Sequence, residues 1–328
     1  MTDIVFILNS PFQYYLALEL IKRKNCDKIT VIFLYTEIER SDKIIDEVIC
    51  YLNSLELKRI DIIRFTLPVS KNGVKSSKVS ILRFLGISVF FRVVKLNHFY
   101  NELYLGEYRN LYISFLANLL NVKNRFVIDD GLASFKNIYN STINLKLGLI
   151  RKRCYELNSF FTNAQYYLSD LPSSNYKLLD AVCFVGSNSV ENRTIDQQSE
   201  LRILEKIQRS LEYNEIYYRP HRFEDKDKVD RYQERSDICL ITSSLPFELD
   251  LIISGNMYKT YVAYNSTVIV FLALLKKFLG LDINLYNIVY RESDFLDAVK
   301  YLEACQLFNL IKAFCKTHDL IIDEIYSK

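Results

Sequence analysis

The sequence has no tryptophan and only eight glycines and five prolines among 328 residues. That scarcity leaves little room for flexible linkers or low-complexity tracts, and no internal repeat is present. Paired cysteine motifs are missing as well. The seven cysteines (Cys26, Cys50, Cys154, Cys183, Cys239, Cys305 and Cys315) are odd in number and scattered, with no CxxC. This argues against a disulfide framework or a cysteine-bound metal, and for reduced thiols in the cytoplasm. No apolar run reaches the ~20 residues that a membrane span needs. The opening MTDIVFILNSPFQYY has neither the basic n-region nor the small-residue cleavage site of a signal peptide. A net charge of only +3 gives no whole-molecule attraction to nucleic acid.

What is present is a globular profile, half hydrophobic and a quarter charged, in a chain long enough for two domains of roughly 150 residues. Short apolar runs alternate with helical patterns. Ile4 to Leu8 suits a buried parallel strand, and Ser10 followed by Pro11 suits the cap and first turn of a helix. Further strands are expected at Ile29–Leu34, Ile60–Phe65, Glu102–Gly106 and Arg125–Ile128, with helices over Ile38–Leu55 and Tyr112–Leu120. The region from Lys146 to Asn175 reads as helical and then loop-like. Its patch Leu171-Pro172-Ser173-Ser174-Asn175 divides a domain over 1–170 from one over 171–328. The second series places strands at Ala181–Val185, Glu215–Tyr218, Ile238–Ile241 and Tyr261–Tyr264, with a last one near Ile288. Helices are expected over Ser199–Glu212, Phe247–Ile253, Val268–Leu279 and Phe295–Phe314. The pattern predicts an α/β protein with two Rossmann-like domains facing each other across a cleft.

The polar residues concentrate where strands end. Asp129-Asp130-Gly131 follows Arg125–Ile128; adjacent carboxylates repel, which raises one of them toward the range of a general base. The alternative is an ordinary capping Asp in a turn. Pro220-His221-Arg222 ends another strand, and an imidazole beside a guanidinium suits a phosphate leaving group, although a plain loop histidine has the same appearance. Glu248, just past a strand, is placed to accept ribose hydroxyls or simply to favour a helix start. Ser266 and Thr267 open a long apolar helix and form either a phosphate site or a simple cap. Gly186, at the end of Ala181–Val185, joins the donor side, and Asn9, Ser10 and Gln13 join the acceptor side. Asp225 and Asp227 make a D-x-D pattern, but within the run Glu224-Asp225-Lys226-Asp227 they read as the solvated first turn of a helix.

The order Asp129-Asp130-Gly131, His221, Pro246-Phe247-Glu248 and Ser266-Thr267 resembles the bacterial sialyltransferases of GT-B architecture. In particular it is similar to the lipooligosaccharide sialyltransferase family, glycosyltransferase family 52. The opening Asn9-Ser10-Pro11-Phe12-Gln13 resembles that family's first strand and turn. The resemblance implies transfer of sialic acid, with inversion and without a metal, from CMP-sialic acid to a sugar hydroxyl of a bacterial surface glycan such as lipooligosaccharide, O-antigen or capsule. By position it makes Asp130 the general base with Asp129 beside it, His221 the group that meets the CMP phosphate, Glu248 the ribose acceptor, and Ser266 and Thr267 the phosphate site. The family has His followed by Pro. Here Pro220 precedes His221 and Arg222 follows, so Arg222 is a candidate to share the phosphate.

Two other readings keep parts of this. One is a GT-B glycosyltransferase with a UDP-sugar donor; the other is a non-catalytic glycan- or nucleotide-binding protein. The stretch Lys71 to Lys95 carries Lys71, Lys75, Lys78, Arg83, Arg92 and Lys95 with no acid, interleaved with Phe84, Phe90 and Phe91. It suits peripheral contact with an anionic membrane face, where a lipid-linked acceptor would lie, or equally a helix with a solvated basic side.

Overall fold

The computed structural model describes residues 3–26, 28–36, 46, 50, 60–67, 98–106, 116–118, 120–128, 142–147, 150–157, 160–171, 176–221, 224–243 and 245–327. Contacts divide the chain into two compact units, Met1–Tyr167 and Leu168–Lys328.

In the first unit, β1 (Asp3–Leu8) is buried without a break from Ile4 to Leu8, as expected of a strand covered on both faces. Ser10 then caps α1 (Pro11–Arg23), its hydroxyl accepting the Gln13 N–H at 3.2 Å, and Pro11 fills the first helical position where no N–H is needed. The sheet is completed by β2 (Lys28–Thr36), β3 (Ile60–Leu67), β4 (Phe99–Leu105), β5 (Asn121–Val127), β6 (Thr142–Leu147) and β7 (Ile150–Leu157), in the order β3-β2-β1-β4-β5-β7-β6. Its pairings are parallel except β6 against β7. Val5, Ile7, Ile32, Leu34, Leu103, Leu105 and Val127 fill its core.

The first part of the segment from Lys146 is therefore strand rather than helix, and helix appears only at Ala164–Leu168. Ile143, Leu145 and Leu147 alternate with Asn144 and Lys146, which is the period of a strand, and the run Arg151-Lys152-Arg153 hid the matching partner. Leu116–Asn118 are helical as expected, but Leu120 lies past the helix and β5 starts at Asn121 rather than Arg125. The basic stretch 71–95, Asp129-Asp130-Gly131, Arg222 and most of the helix expected over 38–55 lie outside the described residues.

The second unit follows α2 (Ala164–Leu168). Its strands are β8 (Lys177–Val185), β9 (Ile216–Arg219), β10 (Ile238–Leu240), β11 (Asn256–Ala263), β12 (Asn284–Val289) and β13 (Asp323–Tyr326), ordered β10-β9-β8-β11-β12-β13 and all parallel. Between them run α3 (Gln197–Leu211), α4 (Lys226–Gln233), α5 (Phe247–Ser254), α6 (Thr267–Leu279) and α7 (Ala298–Thr317). The sheet does not end near Ile288: β13 adds a parallel edge strand after α7. Only Ile325 of its four residues is buried, so the sequence shows no run there. From Val268 to Leu275, α6 is buried on every side, which makes its N-terminus a rigid feature. Among the described residues no helix is long and apolar enough to cross a membrane.

Candidate active site

In a parallel sheet every strand delivers its following turn to the same edge, and ligands bind there where the winding direction reverses. The reversal in the second unit lies between β8 and β11. Along that edge come, in order, the Glu248 segment after β10, the His221 turn after β9, the Gly186 loop after β8 and Ser266-Thr267 after β11. β10 and β11 are three strand spacings apart, ~14 Å, so the four turns line a strip rather than a point.

The His221 turn is built by Glu224. The Glu224 carboxylate accepts the backbone N–H of His221 at 3.0 Å and the Tyr218 hydroxyl at 2.7 Å, while the Glu224 N–H returns to the His221 carbonyl at 2.9 Å. Behind it sits Lys228, whose Nζ lies 2.7 Å from Glu200, 3.5 Å from Glu224 and 3.8 Å from Glu191. Tyr232 donates to Glu200 at 2.7 Å. The side chains of Lys228, Glu200 and Glu224 are 2, 1 and 0 % exposed. Burial pushes the Glu224 carboxyl up to about 7, against the pull of Lys228, and raises Glu200 and the Tyr218 phenol as well. Glu224 is thus no part of a solvated run, unlike Asp225 and Asp227, which are exposed at the start of α4.

Gly186 packs against the same carboxylate. Its N–H donates to the Arg219 carbonyl at 2.9 Å, and a Cβ there would overlap Glu224 Oε1 and come within 2.8 Å of the Tyr218 hydroxyl. The glycine is needed for space, not for backbone freedom. Past it, the Ser187 and Ser189 hydroxyls lie 2.8 Å apart.

At the head of α6 the chain turns through Asn265, whose φ of 39° is in the left-handed region that Asn tolerates better than most residues. Its N–H donates to Asn287 Oδ1 at 2.9 Å, Asn287 Nδ2 donates back at 3.2 Å, and Asn265 Nδ2 reaches the Ala304 carbonyl at 3.2 Å. Ser266 caps the helix, accepting the Val268 N–H at 3.2 Å. α3, α4 and α5 each carry an acid in the first turn and α7 is capped by Asp297, whereas α6 has a neutral cap and no acid. Its positive dipole end is left for an anion. Glu248 stands half-buried in the first turn of α5. Arg219 fixes that segment, donating to the Leu245 carbonyl at 2.6 Å and pairing with Asp250 at 3.1 Å.

In the first unit the reversal lies between β1 and β4. Gln13 is buried there, its Oε1 accepting the Asn9 N–H at 3.0 Å and its Nε2 donating to the Gly106 carbonyl at 3.1 Å. Both ends of the amide serve the scaffold, so Gln13 shapes the turn that carries Asn9 and Ser10. Ile128, the last described residue before the Asp pair, donates to the Leu105 carbonyl at 2.9 Å at the same carboxyl edge.

No protein-family model matches the chain, and no curated protein sequence does. Among solved structures it is similar to the Methanocaldococcus jannaschii UDP-GlcNAc 2-epimerase, crystallised with UDP-GlcNAc and UDP, at 12 % identity and a TM-score of 0.51 over 95 % of this chain and 92 % of that one. Acinetobacter baumannii MurG aligns at 9 % identity and 0.42 over 100 % and 86 %, and Escherichia coli ADP-heptose heptosyltransferase II at 10 % and 0.40 over 97 % and 100 %. The first of these, with the two parallel sheets, carries the assignment: the protein has a GT-B fold of two Rossmann-like units.

Proposed function

We propose that the protein is a glycosyltransferase that takes sialic acid from CMP-sialic acid and attaches it, with inversion, to a sugar hydroxyl of a surface glycan. The observation that supports this most is the conjunction on the second unit's carboxyl edge: the sheet reverses between the Gly186 loop and an acid-free helix N-terminus, and the His221 turn and then the Glu248 segment follow on the next two strands. The sequence order of these residues, with Asp129-Asp130-Gly131 before them, resembles the family 52 sialyltransferases.

In this reading Asp130, or Asp129 beside it, takes the proton from the acceptor hydroxyl. The hydroxyl oxygen bonds to the anomeric carbon as the bond from that carbon to the CMP phosphate oxygen breaks. His221, with Ser266 and Thr267, holds the negative charge that develops on the leaving phosphate, and Glu248 holds the ribose. Arg222 would share the phosphate. No metal takes part in this scheme. The acceptor would be an oligosaccharide, free or lipid-linked, met on the cytoplasmic side of the membrane, with the 71–95 stretch as the point of contact.

The test is transfer of labelled sialic acid from CMP-sialic acid to a panel of glycan acceptors. Wild-type protein should form product and Asp130→Ala should not, while still binding CMP. Turnover by Asp130→Ala within tenfold of wild type rejects the assignment of the base. A UDP-sugar donor is the second reading, favoured by the fold shared with an enzyme seen with UDP-GlcNAc and UDP.

A further inference from the structure

We infer that Glu224 is the positioning residue that orients His221 toward the departing phosphate, and that Gly186 is a glycine in order to admit it. The inference rests on the transferase reading for the task of His221, but its geometry stands independently. A carboxylate that accepts the N–H of a residue three positions earlier, while its own N–H returns to that residue's carbonyl, closes the turn from both sides. Tyr218, one residue short of the strand's end, ties the same carboxylate to β9 at 2.7 Å. The His221 backbone is therefore clamped to the strand that delivers it.

A buried carboxylate is costly unless it is paired, and this one is surrounded. Tyr218 faces it from β9 and Lys228 from α4, and Lys228 is shared with Glu200 of α3, which raises the Glu224 carboxyl by repulsion, and with Glu191 of the loop after β8; Tyr232 of α4 is bound to Glu200. The wall nearest the sheet reversal is Gly186, where any side chain would take the carboxylate's place. A helix start needs none of this. An exposed Glu at that position would serve a helix dipole equally well, whereas this carboxylate is seated against Gly186 inside the unit and holds the His221 N–H. The clamp holds the His221 backbone at the carboxyl end of β9, so a slip of the clamp shifts the residue that carries the imidazole.

The experiment uses protein labelled with 15N-histidine. The chain has three histidines, so the His221 amide is identified by its loss in His221→Ala. In wild type its proton shift should follow the ionisation of the carboxylate it donates to, with a midpoint near 7. In Glu224→Gln the part of that titration due to the carboxylate should vanish, leaving only what the imidazole itself contributes, while the amide stays protected from exchange, because a carboxamide oxygen still accepts. Glu224→Ala and Gly186→Ala should each lower kcat about a hundredfold with CMP affinity changed far less, as expected of a displaced reacting group. The double variant should be no worse than either single one, since both break one contact. Glu224→Gln should recover most of kcat. A His221 amide indifferent to Glu224, or additive losses in the double variant, overturns the inference. Should Glu224→Ala fail to fold, Glu224→Gln and Gly186→Ala still decide the matter. An amide that titrates as described in a protein with no transferase activity overturns the transferase reading and leaves the clamp as inferred.

Discussion

Asn265 and Asn287 hold each other through two hydrogen bonds, 2.9 Å from the Asn265 N–H to Asn287 Oδ1 and 3.2 Å from Asn287 Nδ2 to Asn265 Oδ1. The pair joins the end of β11 to its neighbour β12 and fixes a left-handed residue immediately before the Ser266 cap. An anion site made of a helix N-terminus depends on that cap facing one way.

Asn287→Ala should therefore leave the buried Asn265 N–H unpaired, at a cost of about 1–3 kcal/mol in unfolding free energy. Nucleotide stabilisation should fall with it, because the α6 N-terminus loses its anchor. Urea unfolding with and without CMP measures both. A variant as stable and as responsive as wild type removes the pair from the account.

Stability should depend on pH in a window fixed by Glu224. Its carboxyl titrates near 4.5 when exposed and at about 7 in the fold, so between those values the folded state holds more protons than the unfolded one. Stability from this group is fully present below about 4.5 and is lost as pH rises to about 7. Glu200, also raised by burial, acts in the same direction. Urea midpoints measured from pH 5 to pH 8 should fall more steeply for wild type than for Glu224→Gln, and the two slopes should meet above pH 7. Parallel curves across the range would show that Glu224 is ionised throughout.

His221→Ala and Glu248→Ala should separate binding from turnover. A phosphate contact strengthens as charge develops, so loss of His221 should reduce kcat by more than it weakens CMP binding. Loss of Glu248 should mainly weaken binding. Equal losses of both kinds in both variants would mean that neither role is as assigned.

EDTA should leave most activity in place. The cysteines are scattered, and the D-x-D at Asp225 and Asp227 is exposed at a helix start rather than drawn into the edge of the sheet. Complete loss restored by Mg or Mn would favour the UDP-sugar donor.

The parts of this architecture that one stretch of chain decides were legible in the sequence. Ile4–Leu8 is long and apolar enough to need burial on both faces, and Ser10-Pro11 and Ser266-Thr267 carry their capping chemistry locally. The β6–β7 hairpin was missed because Arg151-Lys152-Arg153 looks like a solvated helix face until Thr142–Leu147 is laid against it. β13 was missed because four residues with one buried side chain show no period. Glu224 was missed for a deeper reason. Beside Asp225, Lys226 and Asp227 it looks solvated, and Gly186, which packs on its carboxylate, and Glu200, which shares Lys228 with it, come from more than twenty residues away. The Asn265–Asn287 pair and the tight fit at Gly186 are likewise tertiary facts with no local signature.

A CMP site on the second unit would show directly in the melting temperature measured with CMP, UDP and GDP side by side. A ligand that binds only the folded state stabilises it by RT ln(1 + [L]/Kd), about 2.7 kcal/mol at a hundredfold excess over Kd. CMP should raise the melting temperature well beyond UDP or GDP, and His221→Ala should blunt the rise. Stabilisation by UDP equal to or above that by CMP would contradict the sialyltransferase reading and leave the GT-B fold as it stands.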